Sequence, residues 1–392
     1  MVFVMTACAE NSSQSEKSQP AEQTTVQPTT MSAEEINDRK LDKFISDMTL
    51  EEKVGQMFFV RCPDEGAVQQ VSEYNIGGYI LFGRDFDGKT KDEVLDDIHS
   101  YQNEADIPLL IGVDEEGGTV VRVSSNPNLR ETPFLSPKDT YADGGWDAVK
   151  QDAEEKADLL LSLGINVNLA PVCDMTSDEY GFMYDRSFSS DVDMENRYVR
   201  TVVETSKSKK LGTVLKHFPG YGNNSDTHTG IAYDDRDYSE FENTDFKPFY
   251  QGIESGADCI LVSHNIVNCM DSEYPASLSQ KVHDILRNEF KFDGVIMTDD
   301  LIMDAITDFT GDEAAAVTAA KCGNDLLCCS SVNTQYPAVL EAVQNGEIPE
   351  AQVDASVKRI LKWKQNLGIF SIDTYQKKVK STEPTDTVGS EE

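Results

Sequence analysis

The 392-residue sequence predicts a closed (β/α)8 barrel of TIM type forming a single catalytic domain, and three observations carry that expectation. Short apolar runs alternate with longer amphipathic stretches from about residue 35 to 370. The runs are apolar throughout, as in strands covered on both faces by helices, which implies parallel βαβ units. Eight such runs can be found, the number that closes a barrel, and several end on polar residues suited to chemistry.

The elements follow in order. Residues 1–34 read as an anchor and flexible tether. Cys8 follows Val4-Met5-Thr6-Ala7 and precedes a Ser-, Gln-, Glu- and Thr-rich run through Thr30. That arrangement resembles a bacterial lipoprotein lipobox and implies an extracytoplasmic enzyme tethered to the membrane through an acylated Cys8. The basic n-region and most of the apolar h-region of a signal peptide are missing before it, which suggests a start upstream. Met31–Leu50 predicts a helix, with Ser32 as N-cap and Glu34 and Glu35 in the first turn. The predicted strands are Gln56–Val60, Gly78–Phe82, Leu109–Val113, Ile165–Val172, Thr213–Lys216, Cys259–Ser263, Gly294–Thr298 and Asp325–Cys328. Helical patterns lie over Asp147–Leu163, Met194–Lys210, Gln280–Phe290, Ala314–Lys321 and Gln352–Asn366. The barrel domain is thus expected over 35–370, with 371–392 as an acidic, disordered tail.

Composition narrows the partners. Lys and Arg number 34 against 70 Asp and Glu, a net charge of −36, which repels nucleic acid and anionic membrane surfaces. No segment apart from the N-terminal anchor approaches the roughly 20 apolar residues of a membrane span. The eight cysteines show no zinc-ligand spacing and mostly sit in apolar runs, as small buried hydrophobes do. Free core thiols are expected, with no metal and no organic cofactor, in a monomeric enzyme.

The candidate chemistry gathers at strand ends. Asp114, Asp174, His217, His264 and Asp299 each fall at or just past the C-terminal end of a different predicted strand, the face where barrel enzymes carry their sites. Lys216–Gly230, KHFPGYGNNSDTHTG, places Asp226 two residues from His228 on a loop leaving a strand, which suits general acid–base work. Phe292–Met303 brings two adjacent carboxylates to a strand tip. Successive side chains point opposite ways, so only one faces the pocket. Asp299 suits a nucleophile toward a sugar anomeric carbon, and Asp300 a helix N-cap. Gly83–Thr90 also satisfies the P-loop pattern, but Asp85 and Asp87 would set negative charge against phosphate, which argues against a nucleotide hydrolase.

Six motifs together resemble the glycoside hydrolase family 3 β-N-acetylhexosaminidases of the NagZ type. They are Met48–Met57, Gly112-Val-Asp-Glu-Glu-Gly-Gly118, Asn168–Asp174, Asp185-Arg-Ser-Phe188, Lys216–Gly222 and Thr298-Asp-Asp-Leu-Ile-Met303. The resemblance implies a retaining exo-β-N-acetylglucosaminidase acting on cell-wall glycan fragments or related glycosides, with a carbohydrate as its partner. It implies Asp299 as nucleophile and His228, paired with Asp226, as acid/base. Asp114, Arg122, Arg186, Lys216 and His217 would hold the sugar hydroxyls, with Asp174 and His264 in support. The chain departs from the pattern at Tyr221, where relatives carry His, at Asn223, where Asp is frequent, and in a loop one residue shorter. Thr119 replaces a frequent Arg. These departures bear on loop movement and leaving-group preference. A β-N-acetylglucosaminide phosphorylase and a β-glucosidase are the alternatives on the same fold. A catalytically dead sugar-binding lipoprotein is the alternative outside it.

Overall fold

The computed structural model describes residues 1–4, 31–224, 230–310 and 312–377, apart from the side chains of 307, 308, 312 and 313. It divides into two compact units, Met1–Arg39 and Lys40–Glu392. In the first, Ser32 and Glu35 exchange bonds: the Glu35 amide donates to Ser32 Oγ at 3.1 Å, and the Ser32 amide to Glu35 Oε2 at 2.7 Å. This reciprocal cap starts the helix Ala33–Ser46.

The second unit holds the barrel. Its strands are β1 (Phe58–Arg61), β2 (Gly78–Leu81), β3 (Leu110–Val113), β4 (Val167–Asn168), β5 (Gly212–Phe218), β6 (Cys259–Val262), β7 (Val295–Thr298) and β8 (Leu327–Cys329). They are hydrogen-bonded in the order β8-β1-β2-β3-β4-β5-β6-β7, every pair parallel. A bridge between Met297 and Leu326 joins β7 to the run entering β8 and closes the ring. A short parallel pair, Tyr233–Asp234 with Ile266–Val267, lies outside it.

All eight predicted strands are present, with shifted ends. The expected helix Met31–Leu50 stops at Ser46, and a new one, Leu50–Gln56, starts from a capping box in which Thr49 and Glu52 bond each other's amides. Gln56 is therefore helical, and β1 begins at Phe58. Of the expected Ile165–Val172, the regular strand is Val167–Asn168 and Val172 adds a single parallel bridge to Lys216; the ladder is interrupted at Pro171, which has no N–H to offer it. The helix expected from Asp147 is present: non-helical backbone angles at Gly144 and Gly145 separate it from a preceding helix that begins at Pro137. The P-loop-like segment is tied up by its own side chains: Asp85 Oδ2 accepts the Phe82 amide at 2.7 Å, and Lys89 pairs with Asp97.

The alternation of strand side chains decides what faces the barrel axis. Phe59, Ile80, Leu110, Val214, Leu261, Met297 and Cys328 belong to one interior cluster, while Phe58, Val60, Ile111 and Val113 belong to the layer shared with the helices. Phe59 fills the interior because two neighbours are glycine. A Cβ on Gly112 would come within 2.5 Å of its ring, and one on Gly78 within 2.9 Å. Buried Cys62, Cys173, Cys259, Cys322, Cys328 and Cys329 are free thiols, and burial pushes Cys62 and Cys322 up to about 12. They pack as core atoms, in line with their apolar neighbourhoods.

Candidate active site

Two residues beyond the interior layer, the same faces of the strands carry different chemistry. Phe59 is followed by Arg61, Ile80 by Phe82, Gly112 by Asp114, Val214 by Lys216 and Met297 by Asp299. All five of the later residues line one cavity of about 350 Å3 at the C-terminal mouth of the barrel. The period of two thus lifts four charged side chains and Phe82 directly above an apolar plug.

On one side of the mouth the charges interlock. Lys216 Nζ donates to Asp114 Oδ1 and to Glu116 Oε1, both at 2.6 Å. Arg186 holds Glu116 with two prongs, Nε to Oε2 at 3.0 Å and Nη2 to Oε1 at 2.8 Å. Burial opposes ionisation of Glu116, yet the Lys216 and Arg186 cations outweigh it and hold the carboxyl well below the usual range. Burial likewise works against the Lys216 ammonium, but Asp114 and Glu116 raise it above an ordinary lysine. Glu116, Lys216 and Arg186 are thus held in their charged forms by one another's contacts.

His217 stands beside it. Its Nδ1 lies 2.7 Å from Asp174 Oδ2 and its Nε2 lies 3.2 Å from Arg186 Nη2. A carboxylate only accepts and a guanidinium only donates, so the ring proton sits on Nδ1 and Nε2 accepts from Arg186. Asp174 also accepts the amides of His217 (2.9 Å) and Tyr221 (2.7 Å), and so fixes the start of the loop that follows β5. The Tyr221 ring packs edge-on against His217 with centroids 5.2 Å apart.

Glu115, which faces away from the cavity, folds the next loop. Its carboxylate accepts the amides of Arg122 (2.9 Å) and Val123 (2.7 Å) and the Ser124 hydroxyl. That turn brings Arg122 to the cavity wall, where its Nε is buried without a hydrogen-bond partner among the described residues.

Opposite this cluster lies the carboxylate pair. The Asp300 amide donates to Asp299 Oδ1 at 2.9 Å and orients it. The Asp300 carboxylate receives the Ser330 hydroxyl at 2.6 Å and the Ile302 amide at 3.2 Å. Burial, reinforced by Asp299, pushes the Asp300 carboxyl up despite those bonds. Asp300 closes a turn rather than capping a helix, since the next helix begins at Asp304. His264 is fully buried and braces the turn, with Nε2 3.0 Å from the Asp300 carbonyl and Nδ1 2.7 Å from Ser277 Oγ.

Asp114, Arg122, Arg186, Lys216, His217 and Asp299 therefore meet in one cavity, with Asp174 and His264 behind its walls. Asp226 and His228 lie outside the described residues, as does Cys8. The base of the loop carrying the first two is well held. Arg236 donates to Asp234, to Asp245 and to the Gly220 carbonyl, and Asn224 donates to Asp234 at 2.7 Å. Gly222, at φ +54°, packs so closely on Arg236 that a Cβ would sit 2.7 Å from its guanidinium carbon. Sequence reading assigned no role to Glu116, Arg236 or Arg61. Glu116 lay within a motif already singled out, and Arg61 lies one residue past the predicted end of its strand.

Comparison with known proteins identifies the family of the chain. Residues 49–363 match the model of the glycosyl hydrolase family 3 N-terminal domain. A β-hexosaminidase of Hydrogenovibrio crunogenus is 33% identical over 286 residues, covering 71% of this chain and 79% of that protein. The β-hexosaminidase LpqI of Mycobacterium tuberculosis is 31% identical, covering 79% and 81%. Among solved structures, a family 3 β-N-acetylglucosaminidase from Paenibacillus sp. superposes with a TM-score of 0.77 at 29% identity, covering 88% of this chain and 66% of that one.

Proposed function

The chain belongs to glycosyl hydrolase family 3 and is a glycoside hydrolase, and from that premise we propose that it is a retaining exo-β-N-acetylglucosaminidase. Its substrate in this reading is terminal β-linked N-acetylglucosamine on cell-wall glycan fragments. The observation that carries the proposal is the opposition of Asp299 to the Asp114–Lys216–Glu116–Arg186 cluster across one small cavity. A rigid set of donors and acceptors can orient the hydroxyls of a single sugar, while a carboxylate at the far wall meets its anomeric carbon.

In the first step Asp299 attacks C1 and forms a glycosyl ester, as the leaving oxygen takes a proton from His228. Asp226 keeps that imidazole protonated and oriented. In the second, His228 withdraws a proton from water, which displaces Asp299 with net retention. Acylation of Cys8 would tether the enzyme at the outer face of the membrane. Incorporation of a fatty-acid analogue that a Cys8→Ser form fails to show would support the tether.

The discriminating experiment is a panel of p-nitrophenyl β-glycosides assayed with and without phosphate. The N-acetylglucosaminide is expected to give the highest kcat/KM, with free N-acetylglucosamine as product. A higher value for the glucoside would make the enzyme a β-glucosidase, and N-acetylglucosamine 1-phosphate as main product would make it a phosphorylase.

A further inference from the structure

We propose that Arg61 is a specificity-determining residue, donating a hydrogen bond to the acetamido carbonyl oxygen of the bound sugar. The inference rests on the β-N-acetylglucosaminidase reading and names a residue that the family motifs do not include.

Three observations lead there. Arg61 occupies the same layer of the barrel as Asp114, Lys216 and Asp299, two residues above Phe59, and lines the same cavity. Its guanidinium lies over the Phe82 ring, 4.4 Å from the centroid, so the head group is held and not left to wander. Its Nε is nevertheless buried with no hydrogen-bond partner among the described residues. A buried N–H without an acceptor is costly, and a ligand carbonyl supplies one.

The ring order of the strands identifies which ligand group that is. C2 is bonded to C1, so with C1 at Asp299 the C2 substituent lies on one of the two arcs leaving β7. The arc through β6 and β5 offers Leu261, Lys216 and His217, and Lys216 Nζ is already committed to Asp114 and Glu116 and His217 Nδ1 to Asp174. The arc through β8, β1 and β2 offers Cys328, Ile80 and Phe82 as apolar wall, with the Arg61 N–H among them. An acetamido group is a methyl beside a strong carbonyl acceptor. It matches the second arc and not the first. A 2-hydroxyl presents no methyl for that wall and is the weaker acceptor.

The test compares kcat/KM for p-nitrophenyl N-acetyl-β-glucosaminide and p-nitrophenyl β-glucoside in wild type, Arg61→Met and Arg61→Gln. Methionine keeps bulk against Phe82 and removes the donor; glutamine retains a neutral one. We expect Arg61→Met to lose about 10- to 100-fold on the N-acetylglucosaminide and to stay within about threefold on the glucoside, with Arg61→Gln between. Should Arg61→Met fail to fold, the same selective shift is required of Arg61→Gln. Equal losses on both substrates, or no loss on either, would overturn the assignment. A wild-type enzyme that prefers the glucoside would instead remove the reading beneath it, and Arg61 would then have no acetamido group to recognise.

Discussion

Two buried lysines at opposite ends of the barrel meet opposite fates. Lys216, near the C-terminal end of β5, touches two carboxylates and is raised above an ordinary lysine although burial opposes the charge. Lys364, on the helix Glu350–Asn366, has no exposed surface, and among the described residues its ammonium bonds only the Gln56 amide oxygen, at 2.8 Å, before the N-terminal end of β1. There burial acts unopposed and lowers its pKa to about 7. Burial alone does not decide whether a buried cation survives; the partners do. The C-terminal mouth invests in paired charges that can grip a polar ligand. The other end accommodates a lysine that is at the margin of holding its proton.

Asp299→Asn gives the sharpest contrast between the two ends. It should cost on the order of 10⁴-fold or more in kcat, since a nucleophile carries a whole covalent step, and leave thermal stability near that of wild type. Retained activity in the folded variant would remove Asp299 from its role.

Lys216→Met should be costly to the fold as well. It strips Asp114 of its cation and leaves Glu116 to Arg186 alone, at about 3–5 kcal/mol by analogy with broken buried pairs. Chemical denaturation at pH 7 measures it, and a loss under about 1 kcal/mol would mean the cluster is far better solvated than its burial indicates. The pH dependence has a definite sign. The folded pKa of Lys216 is raised, so its contribution is complete below about 10.4, the unfolded value, and fades as pH climbs through the folded one.

Lys364→Met should do the reverse and stabilise the protein. A folded pKa of about 7 means the unfolded chain binds the extra proton between about pH 7 and 10.4, so wild-type stability rises across that window. Replacing the lysine removes a penalty of several kcal/mol, offset in part by the Gln56 oxygen left without its donor. A net gain of about 1–3 kcal/mol is expected at pH 7, shrinking toward pH 10, with activity unchanged. A gain independent of pH, or a loss, would contradict the assigned environment of Lys364.

Much of this was legible beforehand because two periodicities carry it. Apolar runs of four to eight residues separated by helical patterns announce parallel strands, and the eighth announces closure. Alternation at the Thr298-Asp299-Asp300 tip leads to the expectation that only Asp299 faces the cavity; both carboxylates line it, because the chain turns after Asp299 and ties Asp300 to the Ser330 hydroxyl at the cavity's edge. The same rule, applied one residue past Val60, points to Arg61, but with the strand predicted to end there the arginine reads as loop. Strand ends depend on neighbouring backbones, and β1 runs to Arg61 because Arg61 pairs with Ile80.

By itself, then, the sequence determined which residue types stand at the ends of which strands, since local patterning and covalent order suffice for that. Tertiary structure alone decided their partners. Glu115 and Glu116 are adjacent and chemically identical, yet one shapes the loop to Arg122 and the other locks Lys216 to Arg186. Lys216 and Lys364 are each one lysine among many in the sequence. Their charge states part because one meets two carboxylates from the end of β3, two strands round the barrel and 102 and 100 residues away in the chain, and the other meets an amide. Electrostatic free energy depends on distance through space and on the solvent displaced, and neither quantity is written along the chain.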